Sequence, residues 1–159
     1  GRLFDAVAAI CGVRATVSYE GQAAIELEAA CDPHERGAYP IAVDRDGDLL
    51  VLDPREAILA VAAEIEAGMA VGAVARRFHA AVADATVRAC ALVAASQGTD
   101  LVVLSGGVFA NRRLIEAVAA GLHAAGLRVL VPERLPVGDG GISYGQAAVA
   151  AERIARGRP

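Results

Sequence analysis

The stretch LSGGVFANRR (104–113) follows the apolar run LVV (101–103) and precedes a segment with helical spacing, and how it is read decides the fold. An apolar strand that runs through two adjacent glycines into a helix is the crossover unit of an α/β layer. The same order recurs downstream. LRVLVP (127–132) predicts a second strand, PVGDGGISYGQ (136–146) a second glycine-rich turn, and the residues from about 142 to 156 a last helix. With a helix predicted over 111–125, this part of the chain reads β-α-β-α with parallel strands.

Working outward, the upstream segments are predominantly helical. GRLFDAVAAICGV (1–13) places Leu3, Val7, Ile10 and Cys11 on one helical stripe, with Gly12 as its stop. YEGQAAIELEAAC (19–31) carries Ala24, Leu27, Glu28 and Cys31 at helical offsets, which predicts a helix ending before Pro33. Between 40 and 52 the pattern changes to two β-prone runs, PIAV and LLVL, joined by DRDGD, whose Asp46-Gly47 pair signals a hairpin turn. Asp53 is the predicted N-cap of the next helix, with Pro54 in its first position, Glu56 in its third and Gly68 just past its end. The alanine-rich stretch 71–97 predicts a central packing helix with Val74, Phe78, Val82, Val87, Cys90 and Val93 inward and Gly98 as cap. No repeat or linker interrupts the chain, so residues 1–159 are taken as a single domain with RGRP as a frayed end.

Composition narrows the function classes. The 159 residues are 55% hydrophobic and only 4% aromatic, and much of the apolar content is alanine, which favours closely packed helices. A net charge of −4 argues against a dedicated nucleic-acid binder, because phosphate-driven affinity requires concentrated positive charge. All 15 basic residues are arginines, scattered along the chain. Cys11, Cys31 and Cys90 are odd in number and lack metal-ligand spacing, which predicts reduced core thiols in a cytoplasmic protein. There is no charged leader with an apolar segment, and no uninterrupted apolar run of the roughly 18 residues that a span needs, so no membrane association is expected.

The two glycine-rich turns carry the chemistry. Ser105, Gly106 and Gly107 stand where a strand ends and a helix begins, the place where open α/β sheets bind ligands. Glycines there let backbone N–H groups approach an anion, and the helix dipole favours phosphate. The loop is neither a Walker A sequence nor a GxGxxG fingerprint, and a turn needed only for packing remains an equal alternative. Asn111 is either a ligand contact or only a helix cap. In the second turn Asp139 lies between glycines, where a carboxylate could serve a hard cation or act as a base. Gly1 and Asp5 could face one ligand at the start of the first helix, and Glu20 is either a first-turn charge or a group aimed at a cleft. Of the three histidines, His34 and His123 are expected on the surface and His79 as a partly buried packing residue.

Five segments, GRLFDAVAA, SYEGQAAIELEA, RRFHAAVADA, LSGGVFANRRL and PVGDGGISYGQAAVAA, together resemble, in order and spacing, the C-terminal part of the HypF carbamoyltransferases of nickel-iron hydrogenase maturation. The resemblance spans essentially the whole chain. It implies an α/β fold, the second lobe of an actin/sugar kinase/Hsp70-like carbamoyltransferase domain related to the tRNA threonylcarbamoyltransferases. Those relatives share GxxFD and GGVxANR but continue with DNAA after the later aspartate, whereas GDGGISYGQ and SYEGQAA here favour the hydrogenase branch.

The implied reaction uses carbamoyl phosphate and ATP to make a carbamoyl-adenylate. The carbamoyl group then passes to the C-terminal cysteine of a HypE-type acceptor protein. By the resemblance, Gly1 and Asp5 contact the nucleoside, Ser105, Gly106, Gly107 and Asn111 hold the nucleotide, and Asp139 ligates a divalent metal, iron or zinc. The family's metal also needs an HxxxH pair in the preceding half-domain, and no HxxxH occurs here. The chain is therefore expected to be a fragment that folds but does not complete the reaction alone. The alternatives are a lobe of a tRNA threonylcarbamoyltransferase or O-carbamoyltransferase, and a non-enzymatic interaction module.

Overall fold

Most of the periodic segments become the elements they predict. In the computed structural model, which describes residues 2–157, the helices and strands run in the order α1 (Arg2–Ile10), α2 (Gln22–Ala29), β1 (Ala42–Asp46), β2 (Leu49–Asp53), α3 (Arg55–Glu66), α4 (Val71–Gln97), β3 (Leu101–Val103), α5 (Arg112–Ala124), β4 (Arg128–Leu130) and α6 (Ile142–Ala155). Single turns of 3₁₀ helix at Gly107–Ala110 and Asp139–Gly141 precede α5 and α6. Periodicity does not reveal them, because each is about one turn long.

Small side chains determine how the centre is built. Along α4, Ala73, Ala75, Ala81, Ala83 and Ala85 are buried together with Val74 and Phe78. Leu114, Val118 and Leu122 line the inner face of α5 at four-residue spacing. Where the two helices cross, a Cβ on Gly121 would lie 2.7 Å from a methyl of Val87, so only hydrogen fits without rearrangement. By length and composition α4 is long and apolar enough to cross a membrane, its best 18-residue window having a mean hydropathy of 1.3, although charged residues interrupt the apolar run. Its apolar surface is used here for packing against other helices, and Arg76, Arg77, Asp84 and Arg88 lie along its length.

Helix α1 joins this core through aromatic contact. The rings of Phe4 and Phe78 meet edge to face with centroids 5.1 Å apart. The buried face of α1 is Phe4, Val7, Ala8 and Cys11, about one position round from the predicted stripe, and Leu3 and Ile10 flank it half-buried. On α4 the predicted inward Val93 is 47% exposed, while Ala94 beside it is buried, so the face turned inward there is the one that carries Ala94. The hairpin turn is Gly47-Asp48, one residue later than predicted, with Asp46 paired to Leu49 and Gly47 at φ +59°. Pro54 rather than Asp53 takes the cap position of α3, while the Asp53 carboxylate still accepts the Arg55 amide at 3.0 Å.

A polar cluster pins the loop that joins α2 to β1. Arg77 of α4 bridges Glu64 at 2.8 Å and Glu35 at 3.2 Å, and the Tyr39 hydroxyl donates to Glu64 at 2.5 Å. The Gly37 amide and then the Arg77 guanidinium hold the Glu35 carboxyl down at about 2.

β3 and β4 pair in parallel, Leu101 opposite Arg128 and Val103 opposite Leu130. Parallel strands are ordinarily covered on both faces. Here Leu101, Val103, Leu130 and Val131 are exposed, as are Ile142, Tyr144, Val149 and Ile154 of α6, which buries none of its residues.

Gly121→Leu is expected to destabilise the fold by about 1–3 kcal/mol through overpacking at the α4–α5 crossing, with much of the loss restored by Val87→Ala; urea denaturation of the single and double variants measures both. For Glu35, the lowered carboxyl pKa gives stability that is present above about 4.5 and lost as pH falls toward about 2. Glu35→Gln should therefore flatten the acid limb of the stability profile across that window.

Candidate functional site

The turns ahead of α2, α5 and α6 meet the start of α1 around one cavity. It has a volume of about 740 Å³, a size suited to a small ligand, and Arg2, Phe4, Asp5, Glu20, Gly21, Glu28, Gly107, Asn111 and Asp139 are among its lining residues. Asp5 comes from the outer side of α1, the side left exposed when Phe4 and Val7 turn inward. Glu20 is presented by a tight turn. Gly21 at φ +80° reverses the chain ahead of α2, the buried Gln22 accepts the Ser18 amide at 2.8 Å, and Arg14 clamps Glu26 through contacts of 2.6 and 2.7 Å.

The two glycine-rich turns are fastened to each other. Gly106, at φ +101°, donates its amide to the Val137 carbonyl at 2.6 Å, and the Ser105 hydroxyl donates to the same oxygen at 3.4 Å. A Cβ on Gly138 would touch Gly107 Cα at 3.6 Å. In the second turn a Cβ on Gly141 would stand 2.6 Å from the Pro136 carbonyl oxygen, so this glycine is needed for the loop to fold back on itself and bring Asp139 to the cavity.

Asn111 closes the inner wall. Its Oδ1 accepts the Leu114 amide at 2.8 Å, capping α5, and its Nδ2 lies 2.9 Å from Nε2 of His79. His79 is 2% exposed, and its Nδ1 lies 2.7 Å from the Ala75 carbonyl and 3.4 Å from Cys31 Sγ. Burial lowers the His79 pKa below the ordinary imidazole value. Burial likewise pushes the Cys31 thiol up to about 11, so it is a protonated packing group rather than a nucleophile. Glu28 of α2 accepts the Arg113 amide at 3.0 Å, a second side-chain acceptor at the start of α5.

Of the residues singled out in the sequence, Asp5, Gly107, Asn111, Asp139 and Glu20 line the cavity together. Ser105 and Gly106 do not line it; their bonds to Val137 join the two turns. Gly1 lies outside the described residues. His34 and His123 are exposed, as expected. Sequence reasoning treated Glu28 as part of a helical stripe and gave no role to Arg2 or Phe4. Nothing local marks Glu28, since its carboxylate and the amide it accepts are 85 residues apart.

The lining is acidic. Asp5, Glu20, Glu28 and Asp139 face the single guanidinium of Arg2. Such a lining suits ligand hydroxyls and cation-bridged phosphates better than a bare phosphate. A smaller cleft of about 470 Å³ adjoins it, bounded by Ile25, Glu28, Arg112, Arg113 and Glu116. Among the described residues no group of three or more His, Cys, Asp or Glu side chains could hold a metal ion. Asp139 offers one carboxylate, short of the ligand set that zinc or iron requires, so these residues do not form a metal centre by themselves.

Residues 1–146 match the family described as carbamoyltransferase, Kae1-like domain, second subdomain. The chain belongs to the HypF carbamoyltransferase family. It is 42% identical over 161 residues to the carbamoyltransferase HypF homolog of Cupriavidus necator, which covers 96% of this chain and 40% of that protein. With the carbamoyltransferase HypF of Rhizobium leguminosarum the identity is also 42%, covering 97% of this chain and 20% of the relative. The fold superposes on the crystal structure of full-length HypF in its phosphate- and nucleotide-bound form with a TM-score of 0.90 at 37% identity, covering 96% of this chain and 20% of that one. For the crystal structure of T. kodakarensis HypF the TM-score is 0.80 at 27% identity, over 97% of this chain and 20% of that one. The chain thus spans 20% to 40% of the length of these HypF proteins.

Gly107 and Gly141 differ sharply in what a side chain would meet, open space at one and backbone at the other. Gly141→Ala is expected to lower stability by about 1–3 kcal/mol, whereas Gly107→Ala should leave it within about 0.5 kcal/mol of the parent; thermal melts of both variants provide the comparison.

Proposed function

We propose that this chain is the second lobe of an actin/sugar kinase/Hsp70-like carbamoyltransferase domain and supplies the nucleotide cradle of a longer HypF-type enzyme. That enzyme takes carbamoyl phosphate and ATP, forms a carbamoyl-adenylate and transfers the carbamoyl group to the C-terminal cysteine of a HypE-type acceptor protein. The observation that carries the reading is the convergence of Asp5, Gly107, Asn111 and Asp139, from three separate segments, on one cavity. Further support comes from the solved full-length HypF of the same fold, which is in a phosphate- and nucleotide-bound form.

Each residue has a role its chemistry suits. Asp5 accepts hydrogen bonds from nucleoside hydroxyls, and Gly107, lacking a side chain, lets the ligand approach the backbone. Among the described residues the Gly107 and Val108 amides have no protein acceptor and remain free to donate. Ser105 and Gly106 hold this turn in place through Val137. Asp139 contributes one ligand to a divalent metal, iron or zinc, whose remaining ligands come from outside this lobe. The exposed apolar faces of β3, β4 and α6 are the surfaces that the preceding lobe covers.

Calorimetric titration of AMP and ATP into the chain, alone and joined to the preceding lobe, tests the reading. Gly107→Val should weaken binding about tenfold or more while moving the unfolding midpoint by less than about 2 °C, because its side chain enters open space beside the cavity. Absence of nucleotide binding in both forms would end the assignment.

A further inference from the structure

The buried histidine behind the cavity wall has no part in the reading above, yet its contacts fix one of the lining residues. A carbonyl oxygen only accepts, so the 2.7 Å contact with Ala75 places a proton on His79 Nδ1. The Cys31 thiol has its own acceptor in the Leu27 carbonyl at 3.6 Å, which is consistent with that tautomer. Nε2 of the neutral ring is then an acceptor, and it faces the amide nitrogen of Asn111 at 2.9 Å. The other end of that amide is held as well, since Oδ1 accepts from Leu114. Two opposed contacts thus define which way the amide points, and one Nδ2 hydrogen has no protein partner among the described residues, on a side chain that lines the cavity.

We infer that His79 is a positioning residue. As the neutral Nδ1–H tautomer it locks the Asn111 amide so that its remaining N–H is offered to an acceptor atom of the bound nucleotide. The inference rests on the nucleotide reading of the cavity. Protonation of His79 turns Nε2 into a donor facing a donor. The amide must then separate or turn over, and turning over removes the Leu114 cap.

The surroundings set the direction of this pH dependence. Phe4 of α1 lies edge-on at 5.1 Å, and Cys31 follows α2 at 3.4 Å from Nδ1. Burial is the largest influence and keeps the ring neutral; the Ala75 carbonyl and Glu28 of α2 favour the charged ring against it, while Arg113 of α5 and Arg76 of α4 act with burial. Stability and the locked amide are both present above the ordinary imidazole value of about 6.5 and are lost as pH falls through the lower value of the folded protein.

The test uses AMP as the probe with the whole chain and its His79→Phe and His79→Gln variants. Phe fills the space without an acceptor, whereas Gln retains one. His79→Phe should weaken AMP binding about tenfold, and His79→Gln should recover affinity to within about threefold of the parent. Parent affinity should fall as pH is lowered below about 6.5 through the lower value of the folded protein, while the Gln variant should show a flatter profile. A folded His79→Phe protein that binds AMP as tightly as the parent overturns the inference, as does a folded Gln variant no better than Phe. If the parent binds no AMP at any pH, the same comparison is made on the chain joined to the preceding lobe, where absence of binding ends the nucleotide reading, and long-range nitrogen NMR of the His79 ring decides the lock separately. An Nδ1–H tautomer whose titration shifts the Asn111 side-chain amide supports the lock; an Nε2–H tautomer, or an amide signal indifferent to that titration, overturns it.

Discussion

The close approach of α4 and α5 sets the distance on which the rest of the site depends. Alanines on one helix and Gly121 on the other bring the backbones together, and a Cβ at Gly121 would already meet Val87 at 2.7 Å. At that separation the head of α5 stands beside the first third of α4, so that His79 and Asn111 share a hydrogen bond of 2.9 Å. The cap of α5, the wall of the cavity and the buried core are therefore one construction. A wider crossing would leave a buried imidazole without its partner, a loss comparable to that of any unsatisfied buried polar group.

The cavity is assembled from turns, not from regular elements. Gly21, Gly106 and Gly141 permit the reversals that bring Glu20, Gly107 and Asp139 to the same space, through left-handed backbone at the first two and through backbone crowding at the third. The core beneath holds the helix ends that these turns enter. Function and stability meet in residues with two tasks, as Glu28 both lines the cavity and accepts an amide of α5.

Other surfaces of the molecule are unfinished in a consistent way. A two-stranded parallel sheet with exposed leucine and valine, followed by a helix that buries nothing, is not a self-sufficient layer. Membership of a family described as the second subdomain of a Kae1-like carbamoyltransferase domain agrees with that surface, since a subdomain has a neighbour to pack against.

By itself the sequence determined the elements and the ends of several of them. The helix 71–97 and its Gly98 cap fall where alanine-rich spacing and a terminal glycine predict, and the parallel strands follow from the β-α-β order. Five matched segments also pointed to the family. Hydrophobic spacing and turn chemistry are local properties, readable within about one window of residues. Tertiary structure alone decided that Ser105 and Gly106 fasten two turns together while Gly107 lines the cavity, that Glu28 accepts from Arg113, and that His79 is bonded to Asn111. Those partners lie 31 to 85 residues apart, and a hydrogen bond between them depends on how helices cross to within a fraction of an ångström, which no local pattern encodes.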